Sequence, residues 1–392
     1  MKAKYLIVGN GIAGHSAAKA IRSKDKEGSI ILIGEEDYPT YFRIRLTKNL
    51  AKEFSLEDIL LKDKAWYEEN KIDLILGAKV VKVKEDEKTL ILETGEEVEG
   101  EKILFATGSY AFVPPVKGHD LEGVFSIRFY DDVCHLQDYL KDKKKVLVVG
   151  GGVLGLEAAA SLKALGKEVY IAQRSEYILD KQLDDELGFK LNDIFEAQGF
   201  HLLTQKNTQE IKGHDHVEGV LFDDGSFLEM DSVVFSTGVR PRLDLFEGSS
   251  FKKDRGLKVN PDMSLDKEGY FAAGDLVEVG GRPLGLWTAS MEMGKIAGHN
   301  MCADDKETYA QPKLFTKMDL GFVEVFSAGE VEDYDQAYRY DEGDLHAKIF
   351  AKEGYLVGAI LFGDTSKMNA MKKMVFNKTP IDEAKGAIYP FV

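Results

Sequence analysis

Cysteine is nearly absent. Cys134 and Cys302 are the only two in 392 residues, and they stand far apart in unrelated surroundings. No CxxC or CxxxxC dithiol exists, and the first hundred residues hold no cysteine at all. Chemistry that runs through a thiolate pair therefore has no residues to use, and both thiols read as helix-packing residues of a protein from a reducing compartment. Long hydrophobic runs are missing too: none approaches the roughly 20 residues of a membrane helix. Met1-Lys2-Ala3 leads straight into a strand, with no room for a signal peptide, so a cytoplasmic location is expected. Positive charge is in deficit, with 51 Lys and Arg against 67 Asp and Glu and a net charge of -16. That balance argues against nucleic acid or an anionic membrane as partner. Nothing in the His and Cys usage suggests a metal site.

The chain does hold enough apolar residues, 44% against 30% charged, for two or three ordinary globular domains. Its first stretch is the most informative. Tyr5-Leu6-Ile7-Val8 reads as a buried parallel strand and runs into Gly9-Asn10-Gly11-Ile12-Ala13-Gly14, a GxGxxG turn. A small-residue helix follows, with Ala17, Ala18, Ala20 and Ile21 available to pack on a sheet, and then the strand Ile30-Ile31-Leu32-Ile33. Gly9, Gly11 and Gly14 let backbone approach a pyrophosphate at a helix N-terminus, and Glu35 stands where a carboxylate accepts hydrogen bonds from ribose hydroxyls.

Beyond this unit, Arg43, Arg45 and Lys48 crowd beside Tyr41 and Phe42. Arg43 and Lys48 suit the anionic or electron-rich parts of a cofactor, and equally a solvated basic loop leading into a helix. Trp66-Tyr67 reads as helix core, a strand is expected over 78–83, and Thr89-Leu90-Ile91-Leu92 with the Thr94-Gly95 turn suggests a hairpin. The strand 102–108 ends on Ala106, Thr107 and Gly108, small residues against which a nucleotide can lie.

Pro114-Pro115 marks a domain crossing, and a second unit of the same build follows. Strand Lys145-Val146-Leu147-Val148-Val149 enters Gly150-Gly151-Gly152-Val153-Leu154-Gly155, a helix is expected over 156–165, and Glu168-Val169-Tyr170-Ile171-Ala172 returns. Gly150, Gly152 and Gly155 make this a second dinucleotide turn. Two complete units in one chain imply two dinucleotides on two domains, with electron transfer between them. The residue after the returning strand is Gln173, not an acid, and Arg174 is next to it. Gln173 removes repulsion of a 2′-phosphate and Arg174 can pair with one, while Glu176 could supply a replacement carboxylate. The choice of NADH or NADPH stays open at this point.

Val233-Val234-Phe235-Ser236-Thr237-Gly238-Val239-Arg240-Pro241 reads as a buried strand with a second crossing. Tyr270-Phe271-Ala272-Ala273-Gly274-Asp275 is a strand into a turn, where Asp275 by itself is an ordinary turn or cap residue. Trp287-Thr288-Ala289-Ser290-Met291 starts a helix, and residues 311–392 read as a small α+β appendage.

Together these motifs resemble the FAD-dependent pyridine nucleotide-disulfide oxidoreductases of the glutathione-reductase fold, in the branch of NADH:rubredoxin reductases and the N-terminal part of assimilatory nitrite reductases. The resemblance covers about residues 1–310. It implies an α/β fold with two Rossmann-like domains: FAD on 1–112 and 241–310, NADH or NADPH on 113–240, and a small C-terminal domain over 311–392. Gly9, Gly11, Gly14 and Glu35 would hold FAD, with Val80 near the adenine. Ala106, Thr107, Gly108, Gly238 and Gly274 would lie along the cofactors, and Asp275 would meet the ribityl chain. The helix starting at Trp287 and Thr288 would aim its N-terminus at the flavin pyrimidine. Arg43 and Lys48 look like the family's cationic stretch beside the flavin, with Thr47 where serine is usual and Ile44 where proline is frequent. Lys48 would form a buried pair with Glu157, which could otherwise be a helix-dipole carboxylate.

The expected function is hydride transfer from NAD(P)H to FAD and onward transfer to a small iron carrier such as rubredoxin, by a monomer or homodimer. The lack of cysteine near residues 40–50 speaks against the branches that keep a thiolate beside the flavin. A basic patch of Arg43, Arg45, Lys48 and Lys52 would serve an acidic carrier. An oxidase reducing oxygen directly and a non-catalytic redox sensor are the competing readings.

Overall fold

Apolar runs without alternation form central parallel strands because both faces are covered. Lys2–Val8 pairs in parallel with Ile30–Ile33 on one side and Glu97–Phe105 on the other, and Leu6, Ile7 and Leu32 are fully buried. The computed structural model describes residues 1–392 in two units, the first made of 1–46, 54–112 and 238–312, the second of 47–53, 113–237 and 313–392.

In the first unit the strands run in the order Ile72–Ile75, Ile30–Ile33, Lys2–Val8, Glu97–Phe105, Thr89–Leu92, Val80–Lys84. Tyr270–Ala272 returns from late in the chain to pair in parallel with the end of Glu97–Phe105. The helix Ile12–Lys24 packs against Trp287–Cys302. A Cβ on Gly294 would overlap the backbone of Ala13, and one on Gly298 that of Ala17. Two glycines four apart thus meet two alanines four apart, so the helices touch backbone to backbone. The late helix is locked onto the early glycine turn by this contact.

The second unit has a parallel sheet in the order His201–Leu203, Glu168–Ala172, Lys145–Val149, Ser232–Phe235, Val124–Ser126. An antiparallel meander, Thr208–Lys212, Gly219–Phe222 and Phe227–Glu229, is attached to it. Residues from Phe315 onward form a five-stranded antiparallel sheet backed by helices Met368–Phe376 and Ile381–Ala387. Lys348 of that sheet donates to Asp184 (2.6 Å) and Glu186 (2.5 Å) beside helix Asp185–Ala197, and Phe322 packs on Phe195. No helix is long and apolar enough to cross a membrane.

The divisions between the units have local causes. Val239–Pro241 pairs antiparallel with Ser109–Ala111, so Gly238 to Arg240 belong to the first unit. Residues 47–53 belong to the second because Gln137 Nε2 donates to the carbonyls of Leu50 and Lys52 (both 2.9 Å) and Thr47 bonds Glu157. The close helix crossing yields a test. Gly294→Ala forces a methyl group into the Ala13 backbone and is expected to lower unfolding stability by about 1–3 kcal/mol, measured by urea denaturation against Gly386→Ala, whose Cβ meets nothing.

Candidate nucleotide-binding sites

Three glycines of the first turn have different reasons to be glycine. Gly9 has φ +111°, and a Cβ there would overlap the Ala106 carbonyl. A Cβ on Gly14 would overlap the carbonyl of Gly9, so strand, turn and helix close on one another. Gly11 has φ -87° and ψ -173°, extended backbone that any residue adopts, and a Cβ on it would meet nothing within 4 Å. The fold itself does not require a glycine at Gly11. It leaves an open face at the start of Ile12–Lys24, where no side chain caps the helix and no acid stands in the first turn. Unpaired N–H groups at such an end favour a phosphate.

Around that turn, the Thr107 hydroxyl is buried with no partner, which costs free energy unless something fills the role. Glu35 is held by Arg242 and lies 3.8 Å from Lys79 Nζ. Asp275 accepts from Ser109 Oγ (3.2 Å) and Ser290 Oγ (2.9 Å), which fix its carboxylate beside Gly274. Ser290 lies in Trp287–Cys302, another helix without a side-chain cap, and Trp287 stacks on Phe42 at 5.9 Å. Thr288 is in its first turn. Arg43 is committed to Glu36 (2.7 Å), and Arg45 lies over the Phe42 ring at 4.6 Å. Val80 opens its edge strand, half-buried.

A buried polar relay supports the turn from behind. His15 Nδ1 meets the Tyr67 hydroxyl (3.0 Å), which meets Thr40 Oγ1 (2.9 Å), and Thr40 donates to Asn10 Oδ1 (2.7 Å) inside the glycine turn. Burial, with Lys19 and Lys62 adding to it, pushes the His15 pKa down to about 4. His15 is therefore neutral in the folded protein at neutral pH.

The second unit repeats the first turn. Gly150 has φ +121°, and Cβ atoms on Gly150 and Gly155 would overlap the carbonyls of Ser236 and Gly150. Gly152, at φ -84° and ψ 176°, again has an open face, at the uncapped start of Val153–Ala164. Glu157 on that helix is buried. It accepts from Thr47 Oγ1 (3.0 Å) and lies 3.5 Å from Lys48 Nζ. The expected burial of this pair holds only for the acid, because the Lys48 side chain is 57% exposed.

The first unit therefore holds Gly9, Gly11, Gly14, Glu35, Ala106, Thr107, Gly108, Gly274 and Asp275, with Gly238 just before the strand Val239–Pro241, and the second holds Gly150, Gly152, Gly155, Gln173, Arg174, Lys48 and Glu157. Sequence reasoning missed Arg242, Ser109, Ser290, His15 and Thr40, and it treated Thr47 only as a departure from serine. Each meets a partner far along the chain or through the fold, and no local spacing signals that.

Two glycine turns of one build, each at the end of a central parallel strand, define a two-nucleotide oxidoreductase fold. The chain belongs to the pyridine nucleotide-disulphide oxidoreductase family, whose model matches residues 3–294. Residues 317–379 match the C-terminal domain of rubredoxin NAD+ reductase. Membership places the chain among flavoprotein oxidoreductases that work with FAD and a pyridine nucleotide. It is 36% identical over 387 residues to a nitrite reductase [NAD(P)H] of Bacillus subtilis, covering 97% of this chain and 48% of that one. It is 30% identical to the NADH-rubredoxin oxidoreductase of Clostridium acetobutylicum, covering 97% of this chain and 96% of that one. The crystal structure of NADH:rubredoxin oxidoreductase from that organism superposes with a TM-score of 0.84 over 97% of each chain. The chain thus spans about half the length of the nitrite reductase and nearly all of the rubredoxin oxidoreductase.

The His15 relay predicts a pH dependence. The unfolded chain takes up a proton near pH 6.5 and the folded one only near 4, so stability is full above 6.5 and falls as pH drops through that window. The loss from this group is up to about 3 kcal/mol. Urea unfolding from pH 7 to 4 should show a shallower fall for His15→Gln than for the native protein, and equal slopes would contradict the assignment.

Proposed function

We propose that the chain is an FAD-dependent NAD(P)H reductase that delivers electrons to a small iron protein such as rubredoxin without a cysteine relay. The observation that carries this reading is the pair of open glycine faces at Gly11 and Gly152, which packing does not require and a bound pyrophosphate explains. The residues fit FAD on the first unit: an uncapped helix N-terminus, the orphaned Thr107 hydroxyl, Glu35 for the ribose and Asp275 for the ribityl chain. We assign FAD to residues 1–112 and 241–310, the pyridine nucleotide to 113–240, and leave 311–392 as the C-terminal domain.

A flavin held by these residues would supply the hydride acceptance and the onward electron release, chemistry that no side chain of the chain provides. The chain's own residues position and neutralise. The N-termini of Ile12–Lys24 and Val153–Ala164 take the two pyrophosphates, and that of Trp287–Cys302 favours negative charge on the flavin pyrimidine. Lys48 is assigned to the flavin edge, with Thr47 and Lys48 both anchored on Glu157. Neither cysteine suits a thiolate role. Cys134 and Cys302 are unpaired, Cys302 Sγ donates to the Gly298 carbonyl (3.1 Å), and burial pushes its pKa up. Arg45 and Lys52 are the cations of this stretch left for an acidic carrier, since Arg43 is held by Glu36 and Lys48 by Glu157.

Anaerobic stopped-flow mixing of the FAD-loaded protein with NADH or NADPH, followed by rubredoxin, tests the reading. Fast flavin bleaching, with reoxidation much faster by rubredoxin than by air, is the expected result. Reoxidation by air at the turnover rate would favour an oxidase, and absent bleaching would remove the reductase. Glu157→Ala is expected to slow bleaching by about 10- to 100-fold while FAD content stays at the native level.

A further inference from the structure

The two glycine units carry an internal comparison. The Gly9 N–H donates to the Ile33 carbonyl and the Gly150 N–H to the Ala172 carbonyl, and Val8 pairs with Ile33 as Val149 pairs with Ala172. Counting onward from these matched positions, Gln173 corresponds to Gly34 and Arg174 to Glu35. The position that holds a carboxylate in the first unit therefore holds a guanidinium in the second.

Neighbouring side chains leave that cation available. Gln173 is turned inward, with Oε1 accepting from the Gly151 N–H (3.1 Å) and Nε2 donating to Ser175 Oγ (3.4 Å). The Ser175 hydroxyl in turn donates to Asp180. Glu176, the acid nearest in sequence, accepts from Gln205 Nε2 (3.0 Å). Arg174 is exposed, with no ion pair and no hydrogen bond from its side chain. The two acids that follow in sequence, Glu176 and Asp180, are thus bonded to Gln205 and Ser175, and neither pairs with Arg174.

We propose that the second unit selects a nucleotide with a 2′-phosphate, NADPH over NADH, with Arg174 as the specificity-determining residue. Gln173 contributes by being neutral, which leaves Arg174 as the group that pairs with the phosphate. A ribose with a free 2′-hydroxyl gains nothing from Arg174 and meets no carboxylate at the matched position. The inference rests on the pyridine nucleotide binding to this unit, and it deepens that reading by naming which nucleotide.

Calorimetric titration of the oxidised, FAD-loaded protein with NADP+ and NAD+ is the test, with adenosine 2′,5′-bisphosphate and 5′-AMP as fragments free of the nicotinamide. NADP+ is expected to bind about 10- to 100-fold more tightly than NAD+, and the bisphosphate more tightly than 5′-AMP, with a preference that shrinks as salt rises. Arg174→Ala should erase the preference, Arg174→Lys should keep part of it, and Arg174→Glu should reverse it. Equal or tighter binding of NAD+ by the native protein, or a ratio unchanged in Arg174→Ala, would overturn the proposal and leave the site itself standing. Binding of neither nucleotide would overturn it together with the assignment of this unit.

Discussion

Backbone meeting backbone is the constraint from which the rest of this structure follows. At Gly9 against Ala106, Gly14 against Gly9, and Gly294 and Gly298 against Ala13 and Ala17, the chain closes to distances that leave no room for a side chain. The second unit repeats the device at Gly150 against Ser236 and Gly155 against Gly150. Close packing of this kind brings a strand end and a helix N-terminus to one point, which is where a pyrophosphate gains most from fixed N–H groups. Gly11 and Gly152 differ from these because nothing in the chain presses on them.

Much of this was legible in the sequence. The glycine turns, their central strands and the small residues after Phe105 are local patterns, set by consecutive residues with one steric purpose. The late helix was legible as a helix. Its crossing of Ile12–Lys24 could be seen only once Gly294 and Gly298 were placed against Ala13 and Ala17. The polar partners were hidden for the same reason: Glu35 and Arg242, Asp275 and Ser109, Glu157 and Thr47 are separated by 207, 166 and 110 residues. The matched positions of Arg174 and Glu35 were also out of reach, because strand pairing, not spacing from the glycines, sets that register.

Charge is distributed with the same economy. Glu35 is met by Arg242 and Lys79, Arg43 by Glu36, and Glu157 by Thr47 and Lys48, so these charged groups are already held in place. Holding them before a ligand arrives lowers the ordering cost of binding. The sulfur atoms stay outside this arrangement, with Cys302 bonded into its own helix.

The account stands on two separate dinucleotide sites in one chain, and binding stoichiometry tests it most directly. The measurement is FAD released per chain on denaturation, together with pyridine nucleotide bound per chain before it, in the native protein and in Gly152→Val. That side chain enters open space at a backbone conformation valine adopts, so the fold should survive. One FAD and one pyridine nucleotide per native chain, with only the second lost in Gly152→Val, is the expected result. A single nucleotide per chain, or pyridine nucleotide that competes with FAD for one site, would contradict the account.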